Sequence, residues 1–283
     1  MTRLRRPGLT DEDASSKLGG MTGSHAPQIL GVLNVSPESN VVESIATSEH
    51  EICERAAMLV RTGADWIDLG GRSITPDAPM IDDDEERNRL LPALAILKQN
   101  SAETPISVDT WSVETAIAAL DRGSDAVNFT AGSVPRVLLD RVAAEGAALF
   151  ITFMPYQNAY AMRKARPVAV GVQAVLDHLG PKVEAARSAG IEALVIDPNL
   201  GIIHPSTDDH QKIHQQLDIL WNLDRLRELG CPILLYAARK PERLARIMIA
   251  SAIVHAGGDY IRTHSPEMIL RLRGAASDRG GGT

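Results

Sequence analysis

Polar side chains that could bind a ligand follow four apolar segments of the chain, at the point where each segment would end as a strand. The segments are ILGVLN (29–34), PISVDT (105–110), ALVIDP (193–198) and DYIRTH (259–264). They carry Asn34, Asp109, Asp197, Arg262 and His264. Parallel α/β proteins perform their chemistry at the carboxyl ends of their strands. We therefore expect one site assembled from several strands.

The carboxylates and amides of this set suit a polar heterocycle. Asp109 and Asp197 would be costly to bury in a water-poor cavity without partners, so we expect them to accept hydrogen bonds from a ligand with several N–H groups. Asn128, at the end of DAVN, can both donate and accept. Lys240, just beyond the segment PILLYAA, can hold a ring oxygen or nitrogen.

The remaining residues of the set suit an anion. Arg262 and His264 alternate along one segment, so their side chains point to the same face. Together with Asn34 from the neighbouring first strand, they form a predicted site for phosphate oxygens, which guanidinium groups bind well. The sequence thus predicts a heterocycle pocket beside a phosphate pocket.

Simpler explanations exist for single members of the set. Asp109 could cap a helix that begins in TWSVE. Asp197 precedes a proline and could serve a turn. Asn34 and Asn128, each taken alone, would be ordinary loop residues. Only the recurrence of polar strand ends favours the functional interpretation over these.

Three histidines have a spacing that can bind zinc. His210 and His214 are four positions apart on a predicted helix, and His204 is nearby. The segment lacks the intervening glutamate of a metalloprotease motif. We interpret it as a surface helix rather than a metal site.

The elements that would position these residues alternate regularly. Strands are predicted at 28–34, 65–70, 105–109, 125–129, 148–154, 193–197, 232–236 and 259–263. Helices are predicted at 48–63, 82–99, 112–122, 134–145, 169–189, 208–229, 241–256 and 265–273. Eight strand–helix units without a hairpin signal favour a closed (β/α)8 TIM barrel. An open doubly wound sheet is the alternative, but GVLNVSPES is not the glycine-rich turn which that fold uses for dinucleotides.

Helix ends carry the expected signals. Asp82, Asp83 and Asp84 open the second predicted helix, where carboxylates are favourable. Glycines follow six helical runs as expected C-terminal caps, at positions 63, 123, 146, 190, 230 and 257.

Length and composition fit one barrel domain. The chain has 283 residues, and such barrels need about 250. Hydrophobic residues make up 44% of the chain but aromatic residues only 4%, so we expect a core of Leu, Ile, Val and Ala. We place the barrel domain at 27–273. The segments 1–26 and 274–283 lack periodicity and are expected to be disordered tails.

Several classes of protein are disfavoured. The net charge of −7, with acids and bases interspersed, gives no footprint for nucleic acid. We interpret Arg72, Arg163, Lys164 and Arg166 as solvated loop charges, although Arg72 follows the second strand closely enough to face the cavity. No apolar run is long enough to span a membrane, and MTRLRRPGLT does not resemble a secretory signal. Cys53 and Cys231 have no motif spacing, so we expect a reduced, cytoplasmic protein.

Several motifs resemble those of dihydropteroate synthases. GVLNVSPES is similar to their first signature, G-I-L-N-x-T-P-D-S-F, and GADWIDLGGRSITPDA to their second, G-A-x-x-I-D-I-G-G-E-S-T-R-P-G. PISVDTW, DAVN, VIDPNLG, ARK and IRTH follow in the family's order. The resemblance covers roughly 27–270, nearly the whole predicted barrel.

The resemblance implies an activity and a set of roles. The family joins 6-hydroxymethyl-dihydropterin pyrophosphate to p-aminobenzoate on a (β/α)8 barrel and releases pyrophosphate, with Mg²⁺. By motif position, the pterin-binding residues would be Asp109, Asn128, Asp197 and Lys240, with Met154 as a pocket wall. The pyrophosphate would bind Asn34, Arg262 and His264, with Asn34 also serving the metal. Arg262, His264 and Lys240 would be catalytic, and a homodimer is expected.

The chain departs from the family pattern in its loops. Arg72, Ile74 and Thr75 replace Glu, Thr and Arg of the second signature. Phe129 replaces an Asp after the fourth strand, and Ala238 replaces a Ser after the seventh. Since an arginine is a bidentate clamp for carboxylate, we expect weak or altered use of p-aminobenzoate. The pterin floor is kept while the p-aminobenzoate contacts are largely lost, and the loops do not identify the second substrate.

Two other functions remain open at this stage. One is a pterin or folate binder without catalytic activity, which would bind the ring tightly and turn over no amine. The other is a methyltransferase that passes a methyl group from methyltetrahydrofolate to a corrinoid. That class would not need the Arg262 and His264 pair.

Overall fold

Eight parallel strands pair in the order β6-β5-β4-β3-β2-β1-β8-β7 in a computed structural model that describes residues 26–74, 78–101, 103–168, 170–237 and 242–277. The strands are β1 (Gln28–Asn34), β2 (Trp66–Gly70), β3 (Ile106–Thr110), β4 (Ala126–Phe129), β5 (Ala148–Thr152), β6 (Leu194–Asp197), β7 (Leu234–Tyr236) and β8 (Tyr260–Thr263). A parallel bridge between Ile196 and Ile233 joins the two edge strands. The predicted (β/α)8 barrel is therefore confirmed.

Helices cover the outside of the barrel. They are α1 (Glu49–Arg61), α2 (Asp83–Asn100), α3 (Val113–Asp121), α4 (Arg136–Glu145), α5 (Ala159–Lys164), α6 (Val172–Ser188), α7 (Asp209–Trp221), α8 (Leu223–Arg227), α9 (Arg243–Ala256) and α10 (Pro266–Ser277). A 3-10 turn, Val42–Ser44, follows β1. Among the described residues, no helix is both long enough and apolar enough to cross a membrane.

Side-chain caps explain where several helices begin. The Asp82 carboxylate accepts from the Glu85 N–H at 2.8 Å at the start of α2, and the Asp208 carboxylate accepts from the Gln211 N–H at 3.0 Å before α7. All six glycines expected to end helices have positive φ, a conformation that side chains with a Cβ avoid. Local capping signals thus account for many of the helix ends.

The structure differs from the sequence expectation in several elements, three of them helices. The helix expected at 208–229 is two helices, because the chain leaves helical geometry at Asn222. The six-residue α5 was not predicted, and its length is too short for a periodic signal. The last helix runs to Ser277, past the expected boundary at 273. The rest of the expected tails, 1–25 and 278–283, lies outside the described residues.

The core has two layers of different composition. Between sheet and helices it is almost entirely aliphatic, as predicted. Inside the barrel, at the amino ends of the strands, three aromatic rings fill the space instead: Phe150 lies 6.0 Å from Trp66 and 5.6 Å from Tyr260, centroid to centroid. This plug closes one end of the barrel and leaves the carboxyl end open.

The plug provides a test of the fold. Phe150→Ala should lower the free energy of unfolding by about 3–5 kcal/mol, because the fully buried ring leaves a cavity between Trp66 and Tyr260. Val137→Ala, at an exposed position on α4, serves as the control and should change it by less than about 0.5 kcal/mol. Urea unfolding measures both. A loss below about 1 kcal/mol for Phe150→Ala would contradict the plug.

Candidate active site at the carboxyl ends of the strands

A cavity of about 130 Å³ opens at the carboxyl end of the barrel. Its lining includes six of the residues that the sequence singled out: Asn34, Asp109, Asn128, Asp197, Arg262 and His264. The sheet register explains their convergence, because Asp109 pairs with Asn128 across β3 and β4, and Asp197 pairs with Thr152 across β5 and β6. Lys240 lies outside the described residues.

One arginine of the cavity lining joins two carboxylates, Asp109 in the lining and the fully buried Asp68 beside it. Arg262 donates from Nε to Asp68 Oδ2 at 2.5 Å and from Nη2 to Asp109 Oδ2 at 2.8 Å. Asp68 also accepts from Ser107 Oγ and, at 3.5 Å, from Asn128 Nδ2. The guanidinium therefore neutralises a buried acidic cluster that would otherwise be strongly destabilising.

Burial and charge shift the pKa values of this cluster. Burial raises the pKa of Asp109; the charge of Arg262 opposes this and the charge of Asp68 adds to it. For Arg262, burial alone would lower the pKa, but the carboxylates of Asp68 and Asp109 raise it well above its usual range. Arg262 thus stays charged at any physiological pH.

Asp68 is a site residue that the sequence analysis missed. It is fully buried within β2, and all five residues of that strand are buried. The signal was present in the sequence, since a charged residue inside the apolar run WIDLG is costly unless it is paired. Asp68 was not predicted because it lies in the middle of β2 and not at its end.

Asp197 has both a structural role and a place in the cavity. Its Oδ1 accepts from the Asn199 N–H at 2.7 Å, so the turn explanation of this residue is correct in part. Asn199 has φ of 62° and holds the loop through Phe153 O at 2.8 Å and the Ile202 N–H at 2.7 Å. Burial raises the pKa of Asp197 to about 6, against the opposing effect of the Asn199 N–H.

The capping explanation of Asp109 is wrong. The α3 helix is capped by Ser112, whose Oγ accepts from the Thr115 N–H at 3.3 Å. Asp109 instead accepts from Arg262 and, through Oδ1, from Thr130 Oγ1 at 3.3 Å. Both carboxylate oxygens therefore face polar groups of the cavity.

Tyr236 lines the cavity and is another residue that the sequence analysis missed. The Arg262 guanidinium lies 4.8 Å from the centroid of the Tyr236 ring. The Tyr236 hydroxyl oxygen lies 3.1 Å from His264 Nε2. A Cβ at Gly201 would lie 2.1 Å from Tyr236 Cδ1, so the ring occupies space that only glycine leaves free. An aromatic residue ending a strand, in a chain with few aromatics, was the available signal.

Asn34 is oriented by its own loop. Its Nδ2 donates to Ser44 Oγ at 2.7 Å, and Ser44 Oγ donates to Val41 O at 2.7 Å. A Cβ at Gly70 would lie 3.0 Å from Asn34 Oδ1, which shows how closely the next strand approaches. The amide thus has its nitrogen committed to the protein and its oxygen at the barrel mouth.

Arg72 forms one wall of the cavity instead of a solvated loop charge. Its side chain is only 4% exposed, and its guanidinium lies 4.3 Å from the Trp111 ring and 5.6 Å from the Tyr160 ring. Its Nη2 donates to Asp83 at 2.7 Å and to Glu86 at 2.9 Å. The structure therefore corrects the solvated interpretation and confirms that Arg72 faces the cavity.

The short helix α5 completes this wall. Arg163 lies 4.9 Å from the Tyr160 ring and donates to Ala78 O at 3.2 Å, so it packs against the loop after β2 and is not a solvated charge either. Lys164 and Arg166 are exposed, as expected. A row of alternating cations and aromatic rings thus ties α5 to that loop.

The structure also shows where the histidines of α7 and Met154 lie. His210 and His214 are exposed on α7, in agreement with a surface helix. Within the described ranges, no three His, Cys, Asp or Glu side chains are grouped so as to hold a metal ion. Met154 is fully buried and is not part of the cavity lining. Its N–H donates to His178 Nε2 at 3.4 Å.

The raised pKa of Asp197 generates a prediction for the free protein. A carboxyl with a pKa of 3.8 when unfolded and about 6 when folded destabilises the fold as pH rises between those values. Asp197→Asn keeps the acceptor for Asn199, so its stability relative to the native chain should rise by about 2–3 kcal/mol from pH 4 to pH 7.5. Urea unfolding at both pH values measures this. A pH-independent difference would refute it.

Comparison with known proteins agrees with this geometry. A family model described as pterin binding enzyme matches residues 30–261. The dihydropteroate synthase of Streptococcus pyogenes serotype M6 is 30% identical over 226 residues, which is 79% of each chain. That of Synechocystis is 27% identical over 263 residues, which is 86% of this chain and 87% of the relative.

Solved structures give the same family. The dihydropteroate synthase of Thermus thermophilus in complex with 4-aminobenzoate matches with a TM-score of 0.71 at 28% identity, over 89% of this chain and 94% of that one. The Yersinia pestis enzyme with a sulfonamide drug gives a TM-score of 0.76 at 20% identity, over 91% and 95%, which bears on the fold alone. The chain belongs to the pterin-binding enzyme family and is similar to its dihydropteroate synthases.

Proposed function

We propose that the chain is a dihydropteroate synthase-like transferase that binds 6-hydroxymethyl-dihydropterin pyrophosphate and condenses it with an amine. The observation that carries this proposal is the convergence of Asp109, Asn128 and Asp197 with Arg262 in one cavity at the barrel mouth. A pterin presents several N–H groups and ring nitrogens on one edge, and this set of acceptors and donors matches them.

Arg262 changes partners in this proposal. In the free chain its guanidinium satisfies Asp68 and Asp109. A bound ring supplies its own N–H donors to Asp109, which lines the cavity. Arg262 Nη2 is then available to the pyrophosphate, together with His264 on the same strand end, while Nε stays paired with the buried Asp68. The ionic cluster thus holds the empty site in shape and binds the anion once the ring is seated.

The reaction follows from this placement. The bond between the pterin methylene carbon and the pyrophosphate oxygen breaks, and a bond from that carbon to the amine nitrogen forms. Arg262 and His264 stabilise the departing anion, the usual role of preorganised charge. Lys240, which the resemblance places against the ring, is proposed as a pterin ligand and catalytic residue. Met154 is proposed to support the pocket from the core, behind its lining.

Asn34 is suited to share Mg²⁺ with the pyrophosphate. Its nitrogen is used by Ser44, so its amide oxygen is the group it can offer to a hard cation. Magnesium sites commonly combine one or two protein oxygens with substrate phosphates and water, which fits a single amide ligand here. When bound, the ion would neutralise charge on the pyrophosphate.

The wall formed by Arg72 supports altered use of p-aminobenzoate. This residue replaces a glutamate of the family signature, and it fills the corner between Trp111 and Tyr160 with a cation. The second signature also lacks its usual arginine, since Thr75 stands in that place. We infer an amine whose contacts differ from those of p-aminobenzoate.

A homodimer is part of the proposal. Large apolar side chains are exposed on two neighbouring helices of the carboxyl-terminal half: Ile213 and Trp221 on α7, and Leu244 and Met248 on α9. Apolar side chains that are exposed together on neighbouring helices are typical of a contact with another protein. Such a surface would suit the homodimer that the resemblance implies.

Pterin affinity tests the site directly. Asp197→Ala removes a buried charged acceptor, so binding of a pterin monophosphate should weaken by about 1.5–3 kcal/mol, or roughly 10- to 150-fold in Kd. Calorimetry measures this. Asp140→Ala, at an exposed pair with Arg136 on α4, should leave the Kd unchanged. Equal affinities for both variants and the native chain would exclude Asp197 from the site.

Sulfonamides test the second subsite. These drugs mimic p-aminobenzoate, and the altered loop after β2 should bind them poorly. We expect no inhibition of pyrophosphate release at micromolar sulfamethoxazole in the presence of an accepted amine. Inhibition with a micromolar constant would mean that the p-aminobenzoate contacts are intact.

A further inference from the structure

Tyr236 and His264 form a hydrogen-bonded pair in the cavity wall, to which the family resemblance gives no joint role. The phenol oxygen lies 3.1 Å from His264 Nε2, and both residues line the cavity beside Arg262. The two side chains come from the carboxyl ends of the adjacent strands β7 and β8, so the barrel itself positions the pair. Rigid elements hold such pairs in fixed geometry.

We propose that Tyr236 is a catalytic residue which takes a proton from the attacking amine and passes its own proton to His264. This inference rests on the proposed transferase function, and it assigns a route for the proton that the reaction releases. The amine nitrogen bonds to the pterin methylene carbon as the pyrophosphate leaves with the electron pair of the carbon–oxygen bond. One N–H proton moves to the phenol oxygen while the phenol proton moves to His264 Nε2.

The protonation state of Tyr236 favours this route. Burial raises the pKa of Tyr236, against the opposing charge of Arg262, so the phenol keeps its proton at neutral pH. It can then donate to Nε2 and leave its oxygen lone pairs for an N–H group in the cavity. The relay therefore needs no rearrangement of either side chain before the proton moves.

Charge balance also favours the proton relay from Tyr236 to His264. The relay produces an imidazolium at His264 at the moment when an anion departs beside it. Opposite charges forming together in a cavity of low dielectric stabilise each other. A base located away from the anion would lack this compensation.

The pair is more than a packing contact. Packing accounts for the ring, which stacks on Arg262 and fills the space above Gly201. It does not account for the hydroxyl, which lies within hydrogen-bond distance of a ring nitrogen that can accept its proton. Removing only the hydroxyl separates the two roles.

The test uses the full chain with Tyr236→Phe and a matched control, Tyr260→Phe. Tyr260 is on the next strand, in the plug, and its buried hydroxyl has no hydrogen-bond partner among the described residues. Each protein is titrated with a pterin monophosphate. Pyrophosphate release is then followed with p-aminobenzoate, aniline and ethylamine, in H₂O and in D₂O.

Tyr236→Phe should keep the Kd for the pterin within about threefold and lower kcat by about 10²-fold, the typical contribution of a positioned proton acceptor. The solvent isotope effect on kcat should differ between this variant and the native chain, and Tyr260→Phe should match the native chain in every measurement.

An unchanged kcat in Tyr236→Phe, or a loss of pterin affinity that accounts for the whole loss of rate, overturns the relay alone. Pterin binding without turnover of any amine overturns both the transferase function and the relay. Failure of the native chain to bind the pterin overturns the proposed function at its first step.

Discussion

The pairing of Arg262 with Asp68 and Asp109 is the interaction on which the site depends. Several carboxyl groups lie in or beside a cavity of about 130 Å³, and such a cluster would repel itself without a cation. The guanidinium supplies that cation from the strand β8, two strands away from β2 and across the mouth from β3. The barrel closure, the aromatic plug and the register of the strands all act to bring these three groups together.

Two buried carboxyl groups of the site reduce the stability of the fold. Burial raises the pKa values of Asp109 and Asp197, so the fold destabilises the ionised form of each. Natural binding sites often store instability of this kind, because a ligand that supplies hydrogen-bond donors relieves it. The site is therefore built to gain stability when it is filled.

Much of the architecture was readable from the sequence because it rests on local signals. Alternation of apolar strands with capped helices predicted the barrel, and polar residues at strand ends predicted six residues of the cavity. Asp68 and Tyr236 escaped this approach, since Asp68 is in mid-strand and Tyr236 resembles an ordinary core aromatic. Their roles come from partners that are distant in sequence. His264 is 28 residues from Tyr236, and Arg262 is 194 residues from Asp68. The helix α5 was missed because six residues give no helical period.

The contact between Tyr236 and Gly201 has a consequence for how this chain could have arisen. A residue with a Cβ at position 201 would collide with the Tyr236 ring, as the 2.1 Å approach to Cδ1 indicates. With the Tyr236 ring in its present position, a residue larger than glycine at 201 would require a change at 236 as well. The two positions therefore constrain each other's mutational history, and an attempt to revert one loop without the other would meet a steric barrier. Relatives that carry an aromatic residue at the end of β7 should be recognisable by a glycine four residues after the Asp that ends β6.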